Sequence, residues 1–251
     1  MPNVKQNTTH AGFIGRIEKV IRSIPHIYIL FRYLVTFTNF FEEDFYYLKK
    51  IFKNKKINII DVGASDGISA NFFIKNLNCN KIYCYEPQKY FFEKLFNLKK
   101  KHKNLILSNY GLGLKNNYMQ IFYPYVLILG KKFFLNTYTF PRKKDLEDQI
   151  NLDFLIKPKI QKIMIIIRKF KNIKSKIDLI KIDTNGSEVQ IVKTMMPVIK
   201  RDKPVLIIEN NNINKINKLL KRFKYKKYCI LNNKFVIHKN QNNSNIIFKI
   251  S

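Results

Sequence analysis

The sequence predicts an α/β fold built on a mostly parallel sheet with helices on both faces. Three observations predict it. Ile57–Phe73 reads INIIDVGASDGISANFF, an apolar run ending in an acid, then a glycine turn, then a second apolar-rich segment. That order is strand, tight turn, helix. Residues 177–188 repeat the plan, with IDLIKI followed by DTNGSE. Between and beyond these stretches, short β-rich runs alternate with segments of helical spacing, which implies right-handed crossovers and parallel strands.

Composition sets the frame. At 251 residues and 46% hydrophobic content, the chain can bury a sizeable core as one domain or one domain with an arm. The net charge of +30, from 47 Lys+Arg against 17 Asp+Glu, attracts anionic partners: nucleic acid, lipid surfaces, acidic or phosphorylated glycans. The bases are nevertheless spread along the chain among abundant Lys, Asn and Ile, as a coding bias would leave them. Three cysteines, Cys79, Cys84 and Cys229, form no Cys-x-x-Cys pair, which argues against a disulfide framework or a zinc site and fits a cytoplasmic protein. The four histidines have no metal-ligand spacing, so no metal site is expected.

Residues 1–40 read as a basic, aromatic-rich arm, and 41–251 as the main domain. No signal peptide is evident at the start. From Gly12 to Phe41 the arm is apolar, but Pro25 and Arg32 interrupt it, and an arginine near the centre of a spanning helix is costly. Packing on the domain is favoured, with contact to an anionic membrane surface as the other expectation. Phe40–Phe52 carries acids early and lysines late, with Phe41, Phe45, Leu48 and Phe52 at helical spacing. The strand of the opening stretch follows, then a helix to about Asn76. Lys81–Tyr85 is the second strand, ended by Glu86-Pro87, and Gln88–Lys100 is the second crossover helix. Asn104–Asn109 is the third strand. Residues 114–170 form a long aromatic insertion with a helix at Lys143–Ile156 and a strand at Gln161–Ile167; such insertions often cover a site or bind substrate. Ile177–Ile182 and Val205–Ile208 are buried strands, separated by a helix at Val189–Val198. Ile213–Phe223 is the last helix. Tyr228–Leu231 and Lys234–His238 pair across Asn232-Asn233 as a hairpin, and Ile246–Ile250 closes the chain.

The glycine turn after Asp61 points helix N–H groups at whatever lies above it, where open α/β sheets bind nucleotide-like ligands. It is neither a dinucleotide fingerprint nor a phosphate loop, and the acid favours a cationic or hydroxyl-bearing ligand over phosphate. Glu86 lies about 20 residues further on, where a strand-end carboxylate accepts hydrogen bonds from ribose hydroxyls. Asn109 ends the third strand, placed to meet a base edge.

Taken together, IDVGASDG, YEP, LIKIDTNGSE and KPVLIIEN resemble the FkbM-type methyltransferases, within the class I S-adenosylmethionine-dependent methyltransferases. The resemblance runs from Phe41 to Ile250. It implies a Rossmann-like, seven-stranded sheet with the last strand antiparallel, which the terminal hairpin suits. It implies methyl transfer from S-adenosylmethionine to a hydroxyl of a sugar, glycan or secondary-metabolite precursor. Asp61, Gly63, Ala64, Ser65 and Gly67 correspond to the cofactor turn, Glu86 to the ribose-binding acid and Asn109 to the adenine-facing residue. Lys181, Asp183, Gly186 and Glu188 match Lys-Ile-Asp-x-x-Gly-x-Glu at the rim of the same pocket. Two departures are visible. Asn185 replaces a common acid, which excludes a base at that position, and Ile167-Arg168-Lys169-Phe170 stands where a Leu-Asp pair is usual.

Methyl transfer needs aligned partners and removal of the hydroxyl proton. Asp183 and Glu188 are the acids expected near the acceptor, with Glu209 a third. Glu188 also suits the first turn of a helix without any chemistry. Nucleic acid is the less favoured acceptor, because Asp183-Thr184-Asn185-Gly186 stands where base-amine methylating enzymes carry Asp/Asn-Pro-Pro-aromatic. A non-catalytic binding protein on the same fold is the other alternative.

Overall fold

The computed structural model describes residues 23–30, 43–135, 138–231, 234–238 and 244–250. In chain order the elements are α1 (Glu43–Ile51), β1 (Ile57–Val62), α2 (Ile68–Asn76), β2 (Cys79–Tyr85), α3 (Lys89–Lys101), β3 (Leu105–Ser108), β4 (Gly111–Leu112), β5 (Asn117–Ile128), β6 (Lys131–Phe134) and α4 (Lys143–Asp153). They continue as β7 (Lys159–Arg168), β8 (Leu179–Ile182), α5 (Glu188–Thr194), α6 (Met196–Asp202), β9 (Val205–Glu209), α7 (Ile213–Lys221), β10 (Tyr225–Leu231), β11 (Lys234–Ile237) and β12 (Asn245–Ile250).

The described residues fall into two compact units. The larger lies within Phe41–Met119, Ile165–Gln241 and Asn245–Ser251. It contains a sheet of order β11-β10-β12-β9-β8-β1-β2-β3. The five strands from β9 to β3 are mutually parallel. β12, last in the chain, enters antiparallel between β9 and β10. The expected seven strands are therefore present. An eighth is added at the edge because β11, the outer arm of the hairpin, pairs antiparallel with β10. The hairpin turn at Asn232-Asn233 lies outside the described residues.

The central strands are apolar on both faces because helices cover both faces. Alternate residues divide cleanly. Ile60, Ile180 and Ile208 enter one core with Ile191, Val192 and Ile216 from α5 and α7. Ile59, Leu179 and Ile207 enter the other with Phe72 and Phe73 from α2 and Leu95 from α3. The single helix expected at Val189–Val198 is broken at Met195 into α5 and α6. Pro197 sits in the first turn of α6, where its missing N–H leaves no unmade bond.

The smaller unit lies within Met1–Phe40, Gln120–Met164 and Asn242–Ser244. Here β5 and β6 form an antiparallel hairpin, with Tyr125 opposite Phe134. Leu129 and Gly130, at φ 48° and 74°, make the two-residue left-handed turn that suits strand twist. The spacing of the aromatic insertion does not predict this hairpin, for which Gly130 is the local signal. A small core joins Tyr28 to Leu135, Tyr138, Leu146, Ile150 and Phe154. The Leu155 amide also donates to the Ser23 carbonyl at 2.9 Å. Residues 23–30 of the arm thus pack with the insertion. The remainder of the Gly12–Phe41 stretch, and its membrane-surface reading, lie outside the described residues. Among the described residues no helix is long and apolar enough to cross a membrane.

Candidate active site

The first turn follows β1 directly. Gly63, Ser65 and Gly67 all have positive φ, at 76°, 49° and 86°. Glycine takes that conformation freely, but a serine there costs about 1–2 kcal/mol. Ser65 is held by its neighbour strand: its amide donates to Glu86 Oε2 at 2.9 Å. Glu86 Oε1 accepts the Gln88 amide at 2.8 Å. Asn109, past the end of β3, does not face outward alone; its Nδ2 donates to the Glu86 carbonyl at 2.9 Å and fixes the same corner. Ala64 is buried in the core on the α2 side, so its contribution to the turn is backbone.

The second turn, after β8, follows the same design. Asn185 and Gly186 have φ of 51° and 110°. The Asn185 amide donates to Glu209 Oε2 at 3.2 Å, from the end of the neighbouring strand β9. In each turn a left-handed residue is clamped by the strand-end carboxylate next door. Glu188 closes the second turn from below. Its Oε1 accepts the Thr184 amide at 3.2 Å, the Thr184 hydroxyl at 3.0 Å and the Gly186 amide at 2.9 Å. Glu188 is fully buried. Asp183, by contrast, leaves 46% of its side chain exposed.

The two turns touch. A Cβ on Gly63 would lie 1.9 Å from the Asp183 carbonyl oxygen, so only glycine fits there. In the β1–β8 ladder Asp61 stands opposite Lys181, and period two puts both side chains on the α2 side. The Lys181 ammonium lies 3.5 Å from Asp61 Oδ1 and 3.2 Å from Asp183 Oδ2. The other Asp61 oxygen accepts the Ser69 hydroxyl at 2.6 Å.

Burial sets the electrostatics. It pushes Asp61 up, while Lys181 and Ser69 pull it back. It raises Glu86 to about 7, against the lowering effect of the Gln88 and Ser65 amides. Glu188 is raised by burial and held down by the N–H groups of its own turn. Glu209 is pushed well above the usual carboxylate range by burial and by the nearby Asp183 and Glu188 charges.

The structure thus brings Asp61, Gly63, Ser65, Gly67, Glu86 and Asn109 together around the first turn, and Asp183, Glu188 and Glu209 around the second. An open cavity of about 510 Å³ is lined by Asn109 and by Lys89, Phe92, Glu93, Phe96 and Asn97. Of the residues singled out from the sequence, Asn109 alone lines it.

Residues 61–227 match the Methyltransferase FkbM domain. The chain belongs to the FkbM methyltransferase family. A methyltransferase FkbM from Methylobacillus flagellatus KT is similar in structure at a TM-score of 0.49 and 16% identity. The alignment covers 77% of this chain and 43% of that one, so this chain spans less than half the length of that protein. An rRNA methylase from Streptococcus thermophilus aligns at a TM-score of 0.42 and 11% identity, over 83% of this chain and 94% of the other. Aeropyrum pernix fibrillarin, solved with natively bound S-adenosyl-L-methionine, aligns at 0.39 and 13% identity, over 77% and 66%. No curated protein matches the chain. Ser69 is a site residue that the sequence does not single out, because its partner Asp61 comes from another element, and the Lys181–Asp61 pairing likewise joins two strands.

Proposed function

We propose that this FkbM methyltransferase uses S-adenosylmethionine to methylate a hydroxyl of a small molecule or glycan. One observation carries the reading. Five of the chain's 17 acids, Asp61, Glu86, Asp183, Glu188 and Glu209, gather at the carboxyl ends of four adjacent parallel strands and the helix that follows one of them, in a chain of net charge +30. A basic protein has no need of acids there for solubility. Their concentration suits a ligand that carries positive charge and hydroxyl groups.

The donor set fits the cofactor. Each Glu86 oxygen takes one backbone N–H and keeps a further lone pair for a ribose hydroxyl. When bound, the cofactor would supply an electrophilic methyl group on a sulfonium. The protein's own part is to hold the acceptor in line and take its proton. Asp183 is the residue we assign to that proton, because it is the exposed carboxylate of the second turn. Glu188 is enclosed by its own turn, and its role is to hold Thr184 and Gly186, the residues that follow Asp183, in place. Glu209 clamps the Asn185 amide in the same way.

The test is calorimetric titration of S-adenosylmethionine into wild type, Asp61→Asn and Glu86→Gln, followed by transfer of labelled methyl groups to glycan extracts. Equal affinity in all three proteins would overturn the site assignment. RNA is a second acceptor class, favoured by the net charge. A salt-sensitive, sequence-independent RNA affinity would support it.

A further inference from the structure

We propose that Lys181 is a positioning residue for methyl transfer: one buried ammonium, shared between Asp61 and Asp183, makes the orientation of the acceptor-side carboxylate depend on the cofactor-side turn. The proposal rests on the reading above, in which the first turn meets the cofactor and the second meets the acceptor.

The position of Lys181 is unusual for a lysine. It stands inside a strand whose other residues, Leu179, Ile180 and Ile182, are fully buried, and is itself only 5% exposed. A lysine is retained in such a place only where its charge is compensated. Its ladder partner is Asp61, and its ammonium reaches Asp61 Oδ1 at 3.5 Å and Asp183 Oδ2 at 3.2 Å. The two acids differ in what else restrains them. Asp61 is fully buried and bound at its second oxygen by Ser69. Asp183 is half exposed, and the ammonium is the cation that fixes its side chain.

Any change at Asp61 therefore reaches Asp183 through a single group. An added positive charge near the first turn redistributes the lysine between its two carboxylates, drawing it toward the more exposed acid or releasing it. The backbone reinforces the link, since the Asp183 carbonyl lies against Gly63 with no room for a Cβ. A salt bridge that served stability alone would not need to join two ligand-facing turns. Replacing such a pair with apolar groups is often neutral for stability, so a retained buried pair invites a specific role.

The experiment follows the carboxyl carbon of Asp183 by NMR in protein labelled at aspartate Cγ, with Asp183→Asn giving the assignment. The probe is S-adenosylmethionine at saturation with no acceptor present, because its sulfonium supplies the added positive charge. In wild type the Asp183 signal moves on binding. In Lys181→Met the movement falls by at least half while binding persists, and Lys181→Arg restores it. Asp61→Asn, which keeps the lysine and removes its cofactor-side partner, gives the same loss and guards against a methionine variant that does not fold. An unchanged Asp183 response in both Lys181→Met and Asp61→Asn overturns the proposal. Absence of any binding to folded wild type overturns the cofactor reading, and this proposal with it.

Discussion

Glu86 makes cofactor binding pH-dependent in a direction that can be worked out from its surroundings. Burial raises its carboxyl from 4.5 to about 7. Ribose hydroxyls donate hydrogen bonds, and the ionised carboxylate is the better acceptor. Binding therefore favours the charged form, lowers the proton affinity of Glu86 and releases a proton. Affinity rises with pH until Glu86 is ionised in the free protein. With a free-state value of about 7, roughly one molecule in ten is ionised at about pH 6 and nine in ten at about pH 8, so affinity rises by about tenfold from the lower pH to the higher. The probe of choice is 5′-methylthioadenosine, which carries the ribose but no amino-acid group that titrates in this range. Calorimetry near neutral pH in buffers of different ionisation enthalpy counts the protons, and a release of about half a proton is expected. Glu86→Gln binds more weakly at high pH and shows neither the release nor the pH dependence. A flat affinity in wild type, or proton uptake, refutes the reasoning.

The same group leaves a signature on folding. Its folded value lies above its unfolded one, so between the two the native state holds a proton that the unfolded chain has lost. Stability falls as pH rises from 4.5 toward about 7, by at most about 3 kcal/mol from this residue, and levels off above. Asp61, Glu188 and Glu209 are raised by burial and tilt the curve the same way. Urea midpoints across that range should be shallower in Glu86→Gln.

Other consequences are open to direct measurement. Gly63→Ala drives a methyl group against the Asp183 carbonyl at φ 76° and should cost about 3 kcal/mol or more in denaturant unfolding, whereas Gly186→Ala meets open space and should cost only the backbone strain of about 1–3 kcal/mol. Equal losses would show that the turns do not touch. Glu188→Ala removes the acceptor of three hydrogen bonds within its turn and should destabilise by about 1–3 kcal/mol, with faster amide exchange confined first to residues 184–186. Phe72→Ala empties a fully buried site where the ring meets Phe45 edge-on at 5.3 Å, and a loss of about 3–5 kcal/mol is expected from equilibrium unfolding.

Which features were legible in the sequence follows from their range. Both acid-ended turns were readable because strand, acid, glycine and helix are consecutive, and each residue type has a local reason to be there. The alternation of strands and helices fixed a parallel sheet for the same reason. The aromatic insertion was not readable as a hairpin, because Pro124 and irregular alternation hide the strand period in β5. The break at Met195 was missed because Pro197 is tolerated in the first turn of a new helix, so the helical spacing runs on across it.

By itself, the sequence determined the order of the elements, the acids that end the strands and the glycines that let the chain turn. These depend on propensity and spacing over a few residues. Tertiary structure alone decided that Asp61 and Lys181 are ladder partners, that Gly63 lies against the Asp183 carbonyl, and that Glu86 and Glu209 each clamp a left-handed amide in the turn after the neighbouring strand. Each of these joins residues from different strands. Strand register sets them, and register is fixed by which faces of many strands are buried together.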